Sequence, residues 1–274
     1  MARSCPSAAG SPHQEGKHLT SNRSKLAAGF IAAAMAMSVP AHAEDDEAKA
    51  LFKTMADFLA QQTVIAASYD ATLEIVTADL EKVGLASSGT LGMSRPDRIR
   101  VTRTGGLADV ELVYDGKTLS AYGKNLNAFA RQPLEGSVDQ LMDMLRFEAG
   151  LELPAADLLS ENAYDIMMAN VTDAKALGAG IVRGQSCDHV AFRTAEADWQ
   201  IWIAPGDKPF PCRFTITSKM TALAPSYDIT FSGWKTGNDV PADDFQLKTA
   251  DGAKEVNISE LKGLDEVPAP EGDK

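Results

Sequence analysis

The chain is poor in histidine, cysteine and positive charge. It has four histidines and three cysteines. His13, His18 and His42 fall within the first 43 residues, so only His189 lies beyond them. A histidine-rich metal centre and a histidine-paired nucleophile both need more than that. Cys187, His189 and Cys212 together are too few ligands for a closed metal site. Neither a nucleophile elbow nor a Gly-rich phosphate loop occurs. Asp188 and His189 are neighbours on a stretch that reads as a strand, so their side chains point to opposite faces and cannot pair. These absences argue against catalysis, a metal and any other cofactor. Lys and Arg number 26 against 38 Asp and Glu, for a formal net charge of −12. That balance argues against nucleic acid, whose phosphates are met by Lys and Arg. It also argues against docking on an anionic membrane surface. Acidity for solubility is the simpler reading, ahead of a basic partner.

Long apolar runs are missing as well. Leu26 to Val39 is the nearest approach, and it is shorter than the roughly 20 residues a membrane span needs. Arg23 and Lys25 precede it, Pro40 breaks it, and Ala41-His42-Ala43 fits the small-x-small cleavage rule. Residues 1–43 therefore read as an export signal, with cleavage after Ala43 and a periplasmic destination. Its removal takes away four basic residues and one acidic residue, leaving a net charge of −15 on 231 residues. No cysteine follows the cleavage point to carry an acyl anchor, so no stable membrane anchor is expected. That length suits one large β domain.

Glu44 to Gln62 has the spacing of an amphipathic helix, with Leu51, Met55 and Phe58 in one stripe and Phe52, Ala56 and Leu59 beside it. Asp45, Asp46 and Glu47 occupy its first turn, where the helix dipole favours negative charge. After Thr63 the period changes to two. Ala67, Tyr69, Ala71, Leu73 and Ile75 alternate with polar residues. Val83, Leu85, Leu91 and Met93 share parity on the next strand. Ile99 and Val101 then oppose Arg98, Arg100 and Thr102, and Val110, Leu112 and Tyr114 follow. Two short strands are expected near Thr118–Tyr122 and Ala128–Gln132. Each alternation implies one buried and one wet face, the pattern of an antiparallel meander.

Residues 137–169 break this pattern. Val138, Leu141, Met142 and Leu145 are spaced helically, with Ser137 as N-cap and Gly150 as stop. Pro154–Leu159 and Ala163–Ala169 read as two further short helices, Pro154 in a first turn. Strands resume at Val171–Gly178, Cys187–Thr194, Trp199–Pro205, Arg213–Lys219 and Tyr227–Trp234, with a last one at Asp244–Leu247. Residues 257–274 are acidic and poor in aromatics, and read as a disordered tail. Antiparallel strands with the helices kept together predict a single domain over residues 44–256, a curved sheet with helices on its concave side.

Two short motifs lie within this meander. Met93-Ser94-Arg95-Pro96-Asp97-Arg98-Ile99-Arg100-Val101 enters a strand through an Arg-Pro-Asp turn. Tyr114-Asp115-Gly116-Lys117-Thr118-Leu119 joins two strands at Asp-Gly, a strong hairpin signal. In an exported chain, these motifs at this separation resemble the periplasmic lipoprotein-carrier superfamily of LolA, LolB and relatives, and most nearly an uncharacterised periplasmic branch of it. Phe245-Gln246-Leu247, Gly252-Ala253 and Val256 resemble the closing strand of that family. Two features depart from it. The helical insert is longer than in the simplest carriers. The stretch holding Cys187, His189, Phe192, Trp199, Trp202 and Pro211 is similar to the uncharacterised branch.

The resemblance implies a mainly β fold: an incomplete antiparallel β barrel with helices as a lid, enclosing an apolar cavity for acyl chains. It implies that Arg95, at the position of the family's lid-holding arginine, latches the lid. A guanidinium suits that task because its rigid fork of donors can reach uncapped helix carbonyls. Positioning of a turn before Pro96 is the alternative role. Tyr69, Leu73, Leu91, Ile99, Leu112 and Trp199 are the expected inward-facing cavity residues. Trp199 is chosen because Ile201 and Ile203 share its parity. Trp202 then points outward, where exposure would mark a partner surface.

Leu141, Met142, Leu145, Met167 and Met168 are the expected lid residues. The methionines suit either a pocket for varied guests or ordinary core filling. A Cys187–Cys212 disulfide stays open. An oxidising compartment favours it, but strands one apart in a meander are about 9.5 Å distant. That exceeds the roughly 7 Å limit between the Cα atoms, so a bond needs a bulge. The function expected is non-enzymatic binding of lipid or an acylated lipoprotein. The alternative is an envelope regulator acting on a protein partner, with its cavity filled by its own helices.

Overall fold

Eleven antiparallel strands carry the alternation across one sheet. A computed structural model describes residues 41–147 and 155–261. Residues 1–40 of the expected export signal, the Gly150 stop, the Pro154 first turn and residues 262–274 of the expected disordered tail lie outside the described residues. The start of that tail is structured, with a capped 3₁₀ turn at Ile258–Glu260 and Leu261 buried. Helix α1 (Ala41–Ala60) is followed by β1 (Val64–Val76), β2 (Lys82–Ser94), β3 (Arg98–Gly105), β4 (Asp109–Tyr114), β5 (Thr118–Gly123) and β6 (Ala128–Pro133). The insert holds α2 (Val138–Phe147), a 3₁₀ turn at Ala156–Leu159 and α3 (Ala163–Met168). Then come β7 (Asp173–Val182), β8 (Gln185–Arg193), β9 (Ala197–Ile203), β10 (Pro211–Ser218), β11 (Ser226–Thr236) and the two-residue β12 (Lys254–Glu255).

The strand order is β12-β6-β5-β4-β3-β2-β1-β11-β10-β9-β8-β7. The chain therefore builds one half of the sheet, crosses through the insert, and builds the other half back toward β1. The sheet is curved but unclosed, with β12 and β7 as its edges. The expected fold class, mainly β with a helical layer, is the one present, as an open sheet and not a closed barrel.

Register sorts the side chains onto two faces. Ile65 pairs with Met93, Met93 with Ile99, Ile99 with Tyr114, and Tyr114 with Leu119. Ala71 pairs with Ile229, Ile229 with Phe214, Phe214 with Ile201, and Ile201 with Val190. All of these lie on the face that the helices cover. Phe52, Met55 and Leu59 of α1 pack with Phe214, Ile201 and Trp199. Val138 and Met142 of α2 pack on Ile65 and Met93, and Leu141 and Leu145 on Tyr114 and Leu119. Each such large side chain stabilises the fold by roughly 1.5–3 kcal/mol when buried.

Ser137 caps α2 as expected, and reciprocally. Its Oγ accepts from the Gln140 N–H at 3.2 Å, and its own N–H donates to Gln140 Oε1 at 2.8 Å. This is the two-way N-terminal bond of a capping box.

Three expectations need correction. Asp244–Leu247 is not a strand. The Asp243 and Asp244 carboxylates accept the N–H groups of Phe245 and Gln246, and Phe245 has a left-handed φ of 50°. Backbone donors spent on side chains are lost to a ladder. The sheet is not wholly antiparallel, because β12 runs parallel to β6. Trp202 is not a bare outer surface. His189 stacks on it at 4.1 Å, the Arg213 guanidinium lies 5.0 Å from its ring, and Gly180 approaches so closely that a Cβ there would sit 2.6 Å from its Nε1.

Cys187 and Cys212 are bonded, with Cα atoms 6.8 Å apart. Pro211 pairs with Ile203 and Arg213 with Trp202, so Cys212 is the extra residue of a bulge. The bulge overcomes the spacing that an unbroken meander would impose.

After β11 the chain doubles back over the outer face. Arg100 and Glu111, cross-strand neighbours on that face, form an ion pair. Arg100 also donates to both carboxylate oxygens of Asp243, at 2.6 and 2.9 Å, and to the Gln246 carbonyl at 3.1 Å. Tyr122 Oη accepts from the Ala250 N–H, and the Lys254 N–H donates to the Asn127 carbonyl. The segment then turns around the β6 edge and buries Leu261 against Ala121 and Ala130.

The disulfide closes a loop of sequence separation 25. Its removal by the paired Cys187→Ser and Cys212→Ser changes is expected to cost about 3 kcal/mol in chemical denaturation. Arg100 holds the Asp243 carboxyl below the usual carboxylate range, chiefly through its hydrogen bonds. A depressed folded pKa stabilises above the unfolded value and is lost as pH falls through the folded one. Hydrogen exchange of residues 241–261 should therefore rise below about pH 4, and Asp243→Asn should raise it already at pH 7.

Candidate functional site

Sequence-adjacent motifs meet at one end of the helix-bearing face. The turn at Arg95-Pro96-Asp97 joins β2 to β3, and the Asp115-Gly116 turn joins β4 to β5. Asp115 Oδ1 accepts from the Lys117 and Thr118 N–H groups. Gly116 has φ 89°, and a Cβ there would lie 2.7 Å from Asp97 Oδ2. Glycine is required at Gly116 on both counts. The Pro96 carbonyl accepts the Val138 N–H at 2.8 Å, and Tyr114 Oη donates to the Gly136 carbonyl at 2.9 Å. The two turns thus hold the start of the insert.

Arg95 ties three segments. Its backbone N–H donates to the Thr63 carbonyl, its Nε to the Gln62 carbonyl at 3.2 Å, and its Nη2 to the Leu159 carbonyl at 2.6 Å. The first two acceptors follow α1, and the third ends the 3₁₀ turn of the insert. Burial pushes this guanidinium down from its ordinary value, against the opposing charges of Asp139 and Glu161. A half-buried guanidinium with fixed carbonyl acceptors clamps the insert to the sheet.

The six cavity candidates share the inward face by register, but they do not form one group. Trp199 lies under α1, 3% exposed, stacked on Phe192 at 4.1 Å and edge-on to Phe52 at 5.2 Å. Ile99 packs beneath α2. Leu112 packs beside the C-terminal segment. Tyr69 packs against the α1 cluster. Leu73 pairs with Leu85, and Leu91 with Val101, which pairs with Leu112. Among the described residues, Leu73, Leu85, Leu91 and Val101 belong to none of the clusters made by α1, α2 and the C-terminal segment. Two apolar cross-strand pairs, Leu73–Leu85 and Leu91–Val101, therefore lie on the inward face of β1–β3 outside those clusters, with Ser87 and Gly89 between them on β2.

Of the lid residues, Leu141, Met142 and Leu145 press on the sheet from α2, while Met167 and Met168 pack against the α1 cluster. The methionines thus fill core between helices and sheet. Tyr69 lies across Gly89, its cross-strand partner, and its hydroxyl donates to the Thr102 carbonyl at 2.9 Å. A Cβ on Gly89 would come within 2.5 Å of that ring. Arg103, not singled out from the sequence, is also inward. Extending the Ile99–Val101 alternation by two residues reaches it.

His189 faces outward. It contacts Gln200 at 2.9 Å, and burial keeps it below its ordinary value, helped by Arg213. Asp188 pairs with Ile203 and His189 with Trp202, so the two point to opposite faces. Among the described residues, no cluster of His, Cys, Asp or Glu is disposed to hold a metal. None of the described helices is long and apolar enough to cross a membrane.

Replacing Arg95 by Ala removes bonds to Gln62 and Leu159, and is expected to cost about 1–3 kcal/mol of stability. Faster hydrogen exchange should be confined to residues 60–63 and 155–168, with Lys restoring only part of the protection.

Three solved structures are similar to this chain at low identity. The lipoprotein LppX of Mycobacterium tuberculosis is 16% identical with a TM-score of 0.46, over 73% of this chain and 98% of that one. LprF of Mycobacterium bovis is 13% identical with a TM-score of 0.43, over 76% and 99%. The MucA/MucB complex of Pseudomonas aeruginosa gives 14% identity and a TM-score of 0.42, over 74% of this chain and 61% of that one. No curated protein matches the chain. A family model matches residues 48–259, nearly the whole of the described fold, and the chain belongs to that family, described as a predicted periplasmic protein (DUF2092).

Proposed function

We propose that this is a periplasmic, non-catalytic binding protein for an apolar ligand, either a lipid or the acyl chains of a lipoprotein. The ligand lies on the inward face of the sheet, and the insert acts as its lid. The observation that carries this reading is two apolar cross-strand pairs on the inward face of β1–β3, Leu73–Leu85 and Leu91–Val101, outside the helix-made clusters. An acyl chain buried there gains roughly 25 cal/mol per Å² of apolar surface without any polar contact. Arg95 sets how readily the lid opens, because it joins the insert to the end of α1. The export signal is cleaved after Ala43.

The test is native mass spectrometry of the protein expressed with its own export signal and purified from the periplasm. Bound lipid or fatty acid is expected, lost on organic extraction and regained on mixing. A bare protein mass that takes up no lipid would end this reading and favour a regulator with a protein partner.

A further inference from the structure

We propose that the paired turn tips of β1–β2 and β10–β11 dock this protein, reversibly, on the surface of a membrane of zwitterionic lipid. The proposal goes beyond the ligand reading above and stands without it. β1 and β11 are neighbours, so residues 77–81 and 219–225 lie side by side at one end of the sheet, opposite the end held by Arg95. Leu80, Val83, Met220 and Leu223 are 39% to 76% exposed there. Glu74 braces the two turns. Its Oε2 accepts from the Ser226 N–H at 2.9 Å and from the Ser226 hydroxyl at 2.7 Å, and lies 3.1 Å from Lys82 Nζ. Val83 shares the parity of Leu85, so the exposed apolar surface continues toward the inward Leu73–Leu85 pair.

Two of these leucines stand in a backbone conformation that disfavours them. Leu80 has φ 62° and Leu223 has φ 61°. Glycine or asparagine adopts that conformation at less cost, and an exposed leucine contributes nothing to the core. The use of these side chains therefore lies outside the fold. A bilayer suits them because the turns satisfy their own backbone. The Thr77 N–H donates to the Glu81 carbonyl and the Leu80 N–H to the Thr77 carbonyl, while the Ser218 N–H donates to the Pro225 carbonyl and the Ala224 N–H to the Thr221 carbonyl. Tips closed in this way enter an apolar interface without stranding polar groups. Charge selects the lipid. Lys82 is engaged by Glu74, and Lys219 by the Thr194 carbonyl and Asp198. The exposed Asp79 and Glu81 flank Leu80. Their carboxylates attract the ammonium of choline or ethanolamine head groups and repel anionic ones.

Vesicle flotation tests this with delipidated protein, expressed with its own export signal and purified from the periplasm. Vesicles of phosphatidylcholine alone are expected to carry the protein at low and high salt alike, and added phosphatidylglycerol should weaken the binding. Leu80→Asn and Leu223→Asn should each lower the partition coefficient about tenfold. Asparagine tolerates the left-handed conformation, so both variants should keep their stability. Met220→Ser, at a fully separate exposed side chain, should lower partitioning as well. Absence of binding to phosphatidylcholine would overturn the proposal, as would binding that requires phosphatidylglycerol. Unchanged binding by the double asparagine variant would overturn it too. A concentration-dependent dimer that the same variant loses, without vesicle binding, would assign the patch to a second copy of this chain. The ligand reading fails separately: docking by a protein that takes up no lipid leaves the docking intact, and lipid uptake without docking leaves only the ligand reading.

Discussion

The fold depends on keeping one face of a very wide sheet apolar and covered. Side chains alternate along a strand, so a shift of one residue would send a whole row to the other face. The register holds rows such as Leu119–Tyr114–Ile99–Met93–Ile65 together across five strands. Such a row cannot be left in water. Helix α1 covers the β7–β11 half, α2 covers one end of β1–β5, and the C-terminal segment covers β5 and β6. Leu73, Leu85, Leu91 and Val101 on β1–β3 fall outside the clusters these covers make, which is why the candidate site lies there.

Arginines divide the labour around this face according to which side they occupy. Arg95, at a strand end, spends its donors on backbone carbonyls and joins the insert to the sheet. Arg100, pointing outward, collects Glu111 and Asp243 and straps the returning chain across the outer face. Arg103 points inward by the same alternation that sends Arg100 out. Each role follows from position on the pleat, since the three side chains are chemically alike. The edges are handled differently. The β6 edge is paired with β12, and β7 is broken by a bulge between Ala176 and Ala179, which blunts the free edge against further pairing.

Much of this was legible before any coordinates. The eleven longer strands, α1, the capped start of α2 and the inward parity of Trp199 all follow from local period and capping chemistry. The Asp115-Gly116 turn follows from the same kind of local signal. Asp244–Leu247 misled because its apolar alternation looks like a strand. The adjacent Asp side chains, which capture the backbone donors there, leave no mark on that pattern. Arg103 was overlooked because the expected alternation was followed only to Thr102, while the strand runs on to Gly105. A charged residue inside a strand looks like its end.

By itself the sequence determined which residues share a face, because side-chain alternation and helical spacing are local properties of the chain. It also determined that His189 is the one histidine beyond residue 43. Tertiary structure alone decided which parts of that face are covered. Ile99 and Trp199 have the parity of Leu91, yet α2 and α1 lie over them, because covering depends on how distant segments dock. It decided the disulfide too. A one-residue bulge at Cys212 brings two strands closer than regular spacing allows, and no local pattern announces a bulge.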